Sequence, residues 1–158
     1  MRSGNSNSSE IEKEPGFSLS ITAQPEDIDE LGHVNNAVWV RWIQELATAH
    51  WNAIAPAAAI EQYIWVVTRH EIDYRGNVGV GESVIGRTWI SEPPKGARFW
   101  RNVSFTGPDG KIKVVAKTNW AIIDQAKGRA VRVPSELAEL FLNNQGAGIA
   151  VDGASGEG

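Results

Sequence analysis

The stretch from Ala37 to Ala53 constrains the fold more than any other part of the sequence. It has the composition of a helix, yet apolar side chains occupy most of its circumference. The polar residues that interrupt it are Arg41, Gln44, Glu45, Thr48, His50 and Asn52. A helix that is apolar nearly all round is buried on several sides. Since Arg41 and Glu45 are four residues apart, we expect them to pair on the side that reaches water.

Strand-like patterns precede and follow this helix. Polar and apolar residues alternate from Phe17 to Ala23, and four further runs cover residues 63–74, 80–90, 97–106 and 111–123. A hairpin signal, Gly107-Pro108-Asp109-Gly110, joins the last two, and strands linked by hairpins form antiparallel sheets. The pattern predicts an α+β domain over residues 17–142, with a curled antiparallel sheet of about five strands wrapped around one long central helix.

The alternation also assigns faces to the strands. In the run at 63–74 we expect the inward residues to be Ile64, Val66, Thr68, His70, Ile72 and Tyr74. In the run at 97–106, one face carries Ala97, Phe99, Arg101, Val103 and Phe105. A basic turn at 124–132 then leads to a short helix ending near Leu142. Residues 1–16 are predicted to be a disordered leader, and residues 143–158 a disordered Gly-rich tail.

Polar residues crowd the segment directly before the helix. An amide oxygen of Asn35 or Asn36 can cap the helix N-terminus. Asp29 is the main catalytic candidate, because a carboxylate beside a helix start can act as nucleophile or general base while free N–H groups stabilise an oxyanion. Alternatively, Asp29 holds the turn through side-chain hydrogen bonds. His33 either assists the chemistry or is a hydrogen-bonded turn residue, and Asp27 is predicted to be solvated.

Composition and motifs exclude several classes of protein. There is no cysteine, which excludes disulfides and thiolate chemistry, and the three histidines lack the spacing of metal ligands. Because phosphate-loop, dinucleotide and serine-hydrolase motifs are absent as well, we expect neither a metal nor a cofactor. The net charge of -4 argues against a nucleic-acid partner. Without a signal sequence or a membrane-spanning run, the expected location is the cytoplasm. The seven tryptophans fill the core, or a few of them line an acyl or aryl pocket.

The segment Asp27-Ile-Asp29-Glu-Leu-Gly32-His33-Val-Asn35-Asn36-Ala-Val-Trp39-Val-Arg41-Trp42 resembles the D-x-D-x-x-G-H-V-N-N-x-x-Y/W-x-x-W signature of hotdog-fold thioesterases. The similarity is to the 4-hydroxybenzoyl-CoA thioesterase type and to acyl-ACP thioesterases. It continues more weakly through 69–74 and 128–134. The resemblance implies a hotdog fold, a homodimer or homotetramer, and sites at the subunit interface.

The resemblance also implies roles for individual residues. The family's catalytic aspartate falls on Asp29, and the backbone N–H that polarises the thioester carbonyl falls near Asn36. His33 matches a histidine of the plant acyl-ACP enzymes, but their asparagine two positions after the aspartate is Leu31 in this chain. Four other matched positions are assigned to substrate binding: Gly32, Val34, Asn35 and Trp39.

Two functions are consistent with these observations. The first is an acyl-CoA or acyl-ACP thioesterase, which needs no metal or redox cofactor. The second is a non-catalytic hotdog module that binds acyl thioesters or a partner protein.

Overall fold

A single long helix, α1 (Asn36–Ile54), packs against a curled antiparallel sheet in the computed structural model, which describes residues 16–143. The predicted leader and tail therefore lie outside the described residues, apart from their innermost positions. The buried residues of α1 recur in pairs every four positions: Val38, Trp39, Trp42, Ile43, Leu46, Ala47, His50 and Trp51. Because 3.6 residues make one turn, these pairs form one broad stripe along the helix. The buried face is thus narrower than the composition of the helix predicts.

The sheet contains five strands in one continuous path and a short sixth strand. The strands are β1 (Phe17–Thr22), β2 (Tyr63–Tyr74), β3 (Ser83–Trp89), β4 (Arg98–Thr106), β5 (Ile112–Asp124) and β6 (Arg129–Ala130). Their order is β1-β3-β4-β5-β2, all neighbours are antiparallel, and β6 adds to β5. The smaller helical elements are a 3-10 turn (Pro25–Asp27), α2 (Ala57–Gln62) and α3 (Ser135–Asn143). The predicted α+β fold, with a central helix on an antiparallel sheet, is confirmed.

The strand β2 departs from the predicted alternation. A register shift between Val67 and Arg69 marks a β-bulge against β5. An extra residue reverses which side chains face inward beyond it. The inward positions of the first half are therefore Trp65 and Val67, whereas Ile64 and Val66 are 45% and 40% exposed. The predictions for Ile64 and Val66 are wrong. The predicted inward positions of Thr68 and Tyr74 are wrong as well, because Thr68 is exposed and Tyr74 is 44% exposed. The half-buried positions of His70 and Ile72 agree with their predicted side.

The core is divided between the two ends of α1. Around its first half, Trp39 packs edge-on against Trp42 and tilts against Phe105. Around its second half, Trp51 stacks on Phe141 of α3. This division leaves the start of α1 in contact with the loop that carries the candidate site, and the end of α1 in a separate aromatic cluster.

Candidate active site

The start of α1 is capped by Asn35, which settles the choice between the two asparagines. The Asn35 side-chain oxygen accepts a hydrogen bond from the Ala37 N–H at 2.9 Å. Asn36 is then the first residue of the helix. Neither its backbone N–H nor its side chain donates to an acceptor among residues 16–143. An N–H group at this position keeps the positive end of the helix dipole available to a ligand.

A tight loop directly before the cap carries Asp29. Its ends are joined by an antiparallel bridge between Ile28 and Val34 and by a hydrogen bond of 2.8 Å from the Asp29 N–H to the His33 carbonyl. Gly32 has a φ of 79°, a left-handed conformation that a side chain disfavours. The sequence therefore needs glycine at this position for the loop to close.

The carboxylate of Asp29 is held by one of its two oxygens. Oδ1 accepts hydrogen bonds from the Leu31 N–H at 2.9 Å and from the His33 N–H at 3.1 Å. Oδ2 has no hydrogen-bond partner among the described residues. The hydrogen bonds to Oδ1 confirm that the side chain of Asp29 holds the turn. They also fix the orientation of the carboxylate and therefore the direction of Oδ2.

Asn77 attaches this loop to the segment between β2 and β3. Its side-chain oxygen accepts from the Val34 N–H and from the Val78 N–H, each at 2.9 Å, and its Nδ2 donates to the Val34 carbonyl at 3.4 Å. Asn77 is not among the residues that the sequence pattern predicted for the site. Its only sequence signal is an asparagine in the Gly-rich break after β2, which is typical of turns in general.

Asp27 is buried, so the prediction of a solvated carboxylate is wrong. Its Oδ2 accepts from the Gln24 N–H at 2.9 Å, and its Oδ1 accepts from Arg41 Nη2 at 2.8 Å. The hydrogen bond to Asp27 raises the pKa of Arg41 above its ordinary value. Arg41 also lies 3.5 Å from Glu45, which confirms the predicted pair. The carbonyl of Asp27 accepts from the Asn35 N–H at 3.0 Å, so this residue joins the 3-10 turn to the cap of α1.

The other predicted site residues fall into two groups. The side chain of His33 is exposed and makes no hydrogen bond with a described residue, and Gly32 and Asn35 are exposed beside it. Val34 and Trp39, in contrast, are 1% and 0% exposed and belong to the hydrophobic core beneath the loop. Asp29 and His33 therefore lie in the loop and Asn36 at the helix start that follows it, whereas Val34 and Trp39 are buried beneath the loop. The predicted roles of these residues stay predictions.

Residues 16–143 contain no cluster of three His, Cys, Asp or Glu side chains that could hold a metal ion. None of the described helices has both the length and the hydropathy needed to cross a membrane. A cavity of about 260 Å³ lies beside the second half of α1, and none of its lining residues belongs to the segment 27–36.

The family of the chain follows from its sequence. Residues 23–141 match the Thioesterase-like superfamily, and the chain belongs to that family. A search of curated proteins gives no match.

Solved structures share this fold at low identity. A Staphylococcus aureus protein in complex with CoA is 14% identical with a TM-score of 0.73, covering 85% of this chain and 86% of its own. A 1,4-dihydroxy-2-naphthoyl-CoA thioesterase from Synechocystis is 12% identical with a TM-score of 0.68, covering 81% and 96%. A probable thioesterase from Escherichia coli is 20% identical with a TM-score of 0.67, covering 82% and 98%. The resemblance to hotdog-fold thioesterases is thereby confirmed.

Proposed function

We propose that this protein hydrolyses an acyl-CoA or acyl-ACP thioester to a free acid and a thiol. The observation that carries the proposal is the Asp29 loop, in which Oδ1 accepts two backbone hydrogen bonds and Oδ2 has no described partner. The loop directly precedes a helix whose Asn36 N–H also has no described acceptor. A fixed carboxylate oxygen and a free helix N–H are the two groups that acyl transfer needs.

The carboxylate of Asp29 supplies the nucleophilic half of the reaction by one of two routes. Oδ2 attacks the thioester carbonyl carbon and forms an anhydride that water then cleaves, or it accepts a proton from the water that attacks. In both routes the C–S bond breaks and the sulfur leaves as the thiol after taking up a proton. The water oxygen ends in the carboxylic acid. No atom changes its oxidation state, so the reaction needs no redox cofactor, and Asp29 with the helix N–H supplies the groups that the proposed mechanism uses.

The start of α1 supplies the electrophilic half. As the carbonyl becomes tetrahedral, its oxygen gains negative charge, and the Asn36 N–H and the positive end of the helix stabilise that charge. The cap by Asn35 satisfies the neighbouring Ala37 N–H, which leaves Asn36 as the donor. His33 is proposed as an assisting residue, because its exposed ring lies in the same loop and no described hydrogen bond holds it.

Membership of the family supports hydrolysis of thioesters. Two proteins of the same fold support coenzyme A as the carrier of the acyl group. One was solved in complex with CoA, and the other is a thioesterase for a CoA thioester. The identity of the acyl group is left open by these relatives.

We propose further that two copies of the chain assemble along β2. This strand is the last in the sheet, and apolar side chains on it are exposed: Ile64, Val66 and Tyr74. An exposed sheet edge of this kind is a template for pairing with another chain. The Tyr74 hydroxyl lies 3.5 Å from the Asn36 carbonyl oxygen, so a partner on this edge would border the start of α1. Light scattering of the purified protein is expected to give at least a dimer, and a monomer would contradict an interface site.

The second candidate function, a module that binds thioesters without cleaving them, is favoured by one observation. The Asp29 side chain already has a structural task, since Oδ1 closes the loop. The two functions are separated by incubating the protein with a panel of acyl-CoA thioesters and measuring released thiol. Catalytic thiol release supports the thioesterase, whereas saturable binding without thiol release supports the binding module.

A further inference from the structure

Half of the residues that line the cavity beside the second half of α1 are aromatic. Its volume is about 260 Å³, and its aromatic walls are Trp51, Tyr63, Trp65, Phe99, Trp120 and Phe141. Exposed Thr48 and Ile64 also line it, so it reaches the surface near the β2 edge. An apolar cavity of about 150 Å³ accommodates benzene, so this one has room for a substituted ring.

One charged side chain, Arg101 of β4, lines this apolar cavity. Arg101 is 5% exposed, and its Nη1 donates to His50 Nδ1 and to Thr88 Oγ1, both at 2.9 Å. A guanidinium has five N–H donors. Its Nη2 and Nε have no acceptor among the described residues, and no described carboxylate pairs with it. The cation therefore lacks a counterion within residues 16–143.

His50 does not neutralise this cation. Because Nδ1 accepts the hydrogen bond from Arg101, that nitrogen carries no proton. Burial, with the charge of Arg101 as a second cause, lowers the pKa of His50 to about 3, so the ring is neutral at physiological pH. Burial lowers the pKa of Arg101 to about 9, which still leaves it charged at neutral pH. Among the described residues, the charge of Arg101 meets neutral partners, including the Phe141 ring 5.5 Å from its Cζ. A buried charge without a counterion is unfavourable, so a ligand that brings a negative charge would be stabilised beside it.

We propose that this cavity binds an aromatic ring that carries an anionic oxygen, a carboxylate or a phenolate, with the oxygen on Arg101 and the ring between the aromatic walls. The free edge formed by Nη2 and Nε matches the two oxygens of a carboxylate. The aromatic walls contribute offset or edge-to-face contacts with the ring.

This site is distinct from the Asp29 loop within one chain. Thr48 is twelve residues after Asn36, which corresponds to about 18 Å along the helix axis at 1.5 Å per residue. The proposed ligand site is therefore separate from the Asp29 loop, and binding there does not require hydrolysis of a thioester. A direct binding measurement tests it without any activity assay.

The test compares benzoate with benzamide, its neutral counterpart of similar shape, by isothermal titration calorimetry on the full-length protein. The Kd of benzoate is expected to be at least tenfold lower than that of benzamide. A hydrogen bond to a charged group is stronger than one to a neutral group, and the difference in free energy corresponds to about tenfold in Kd. In Arg101→Met the preference for benzoate is expected to disappear. The matched control, Arg129→Met, changes an exposed arginine on β6 that does not line the cavity, and it should keep the preference.

The wild-type comparison keeps the proposal testable if Arg101→Met does not fold. Equal affinity for the two ligands, or no binding of benzoate to the wild-type protein, would overturn the proposal. A folded Arg101→Met that retains the wild-type preference would also overturn it, because the anion would then be bound elsewhere.

Discussion

Acidification is expected to destabilise the protein through His50. The imidazole is buried, stacks on Phe17 with ring centroids 5.2 Å apart, and meets the edge of Phe141 at 5.4 Å. Its Nδ1 accepts from Arg101. Protonation of Nδ1 would break this hydrogen bond and place two positive charges next to each other in a buried site. The folded protein therefore favours the neutral imidazole, which lowers the pKa of His50.

The magnitude follows from the difference between the two states. The pKa of His50 is about 3 in the folded protein against 6.5 ordinarily, because burial and then the charge of Arg101 lower it. The unfolded chain binds a proton below pH 6.5 and the folded chain does not, so the contribution of His50 is fully present above pH 6.5 and is lost as the pH falls towards 3. The loss is about 1.4 kcal/mol per pH unit in that window, or about 2 kcal/mol between pH 8 and pH 5.

Urea unfolding at pH 8, 6.5 and 5 measures this loss, with His50→Gln as the matched variant. Glutamine offers Arg101 an amide oxygen but does not titrate, so the variant should lose about 2 kcal/mol less than wild type between pH 8 and 5. Burial also lowers the pKa of His70. That contribution remains in both proteins and cancels in the comparison. Identical pH profiles for wild type and His50→Gln would refute the reasoning.

The loop before α1 gives two further predictions, both measured by urea unfolding. Asn35→Ala removes the cap bond to the Ala37 N–H and should lower the free energy of unfolding by about 1 kcal/mol. Asn36→Ala, whose side chain makes no described hydrogen bond, should change it by no more than a few tenths; equal losses in the two variants would contradict the assignment of the cap. Gly32→Ala should cost about 1–2 kcal/mol from the φ of 79° alone, because no described atom lies within 4 Å of the added Cβ. An unchanged stability of Gly32→Ala would show that the loop adopts another backbone conformation.

Local sequence pattern predicted most of the fold, because alternation and helical spacing are properties of neighbouring residues. It failed at β2, where both faces carry apolar side chains: Trp65 and Val67 on one, Ile64 and Val66 on the other. Alternation alone cannot locate a bulge that exchanges two such faces. The bulge between Val67 and Arg69 becomes visible only in the pairing with β5.

The candidate site was predictable to the extent that it is local. Asp29, Gly32 and the asparagine cap act within a few residues of one another. The burial of Asp27 was not predictable in the same way, because it depends on Arg41 reaching back from the second turn of α1. His50 and Arg101 are 51 positions apart in sequence. Their only sequence signals were a histidine among the polar residues that interrupt the helix and an arginine on the predicted face that also carries Phe99 and Phe105.

The most direct test of the proposed function is the rate of thiol release by Asp29→Asn. Asparagine keeps an oxygen that can accept the Leu31 and His33 N–H bonds, so the loop is preserved while the nucleophile or base is lost. With the best thioester of the panel, kcat/KM should fall about 100-fold or more in Asp29→Asn. It should stay near the wild-type value in Glu30→Gln, which changes the neighbouring exposed carboxylate. Wild-type thiol release by a folded Asp29→Asn would contradict the central role of this carboxylate.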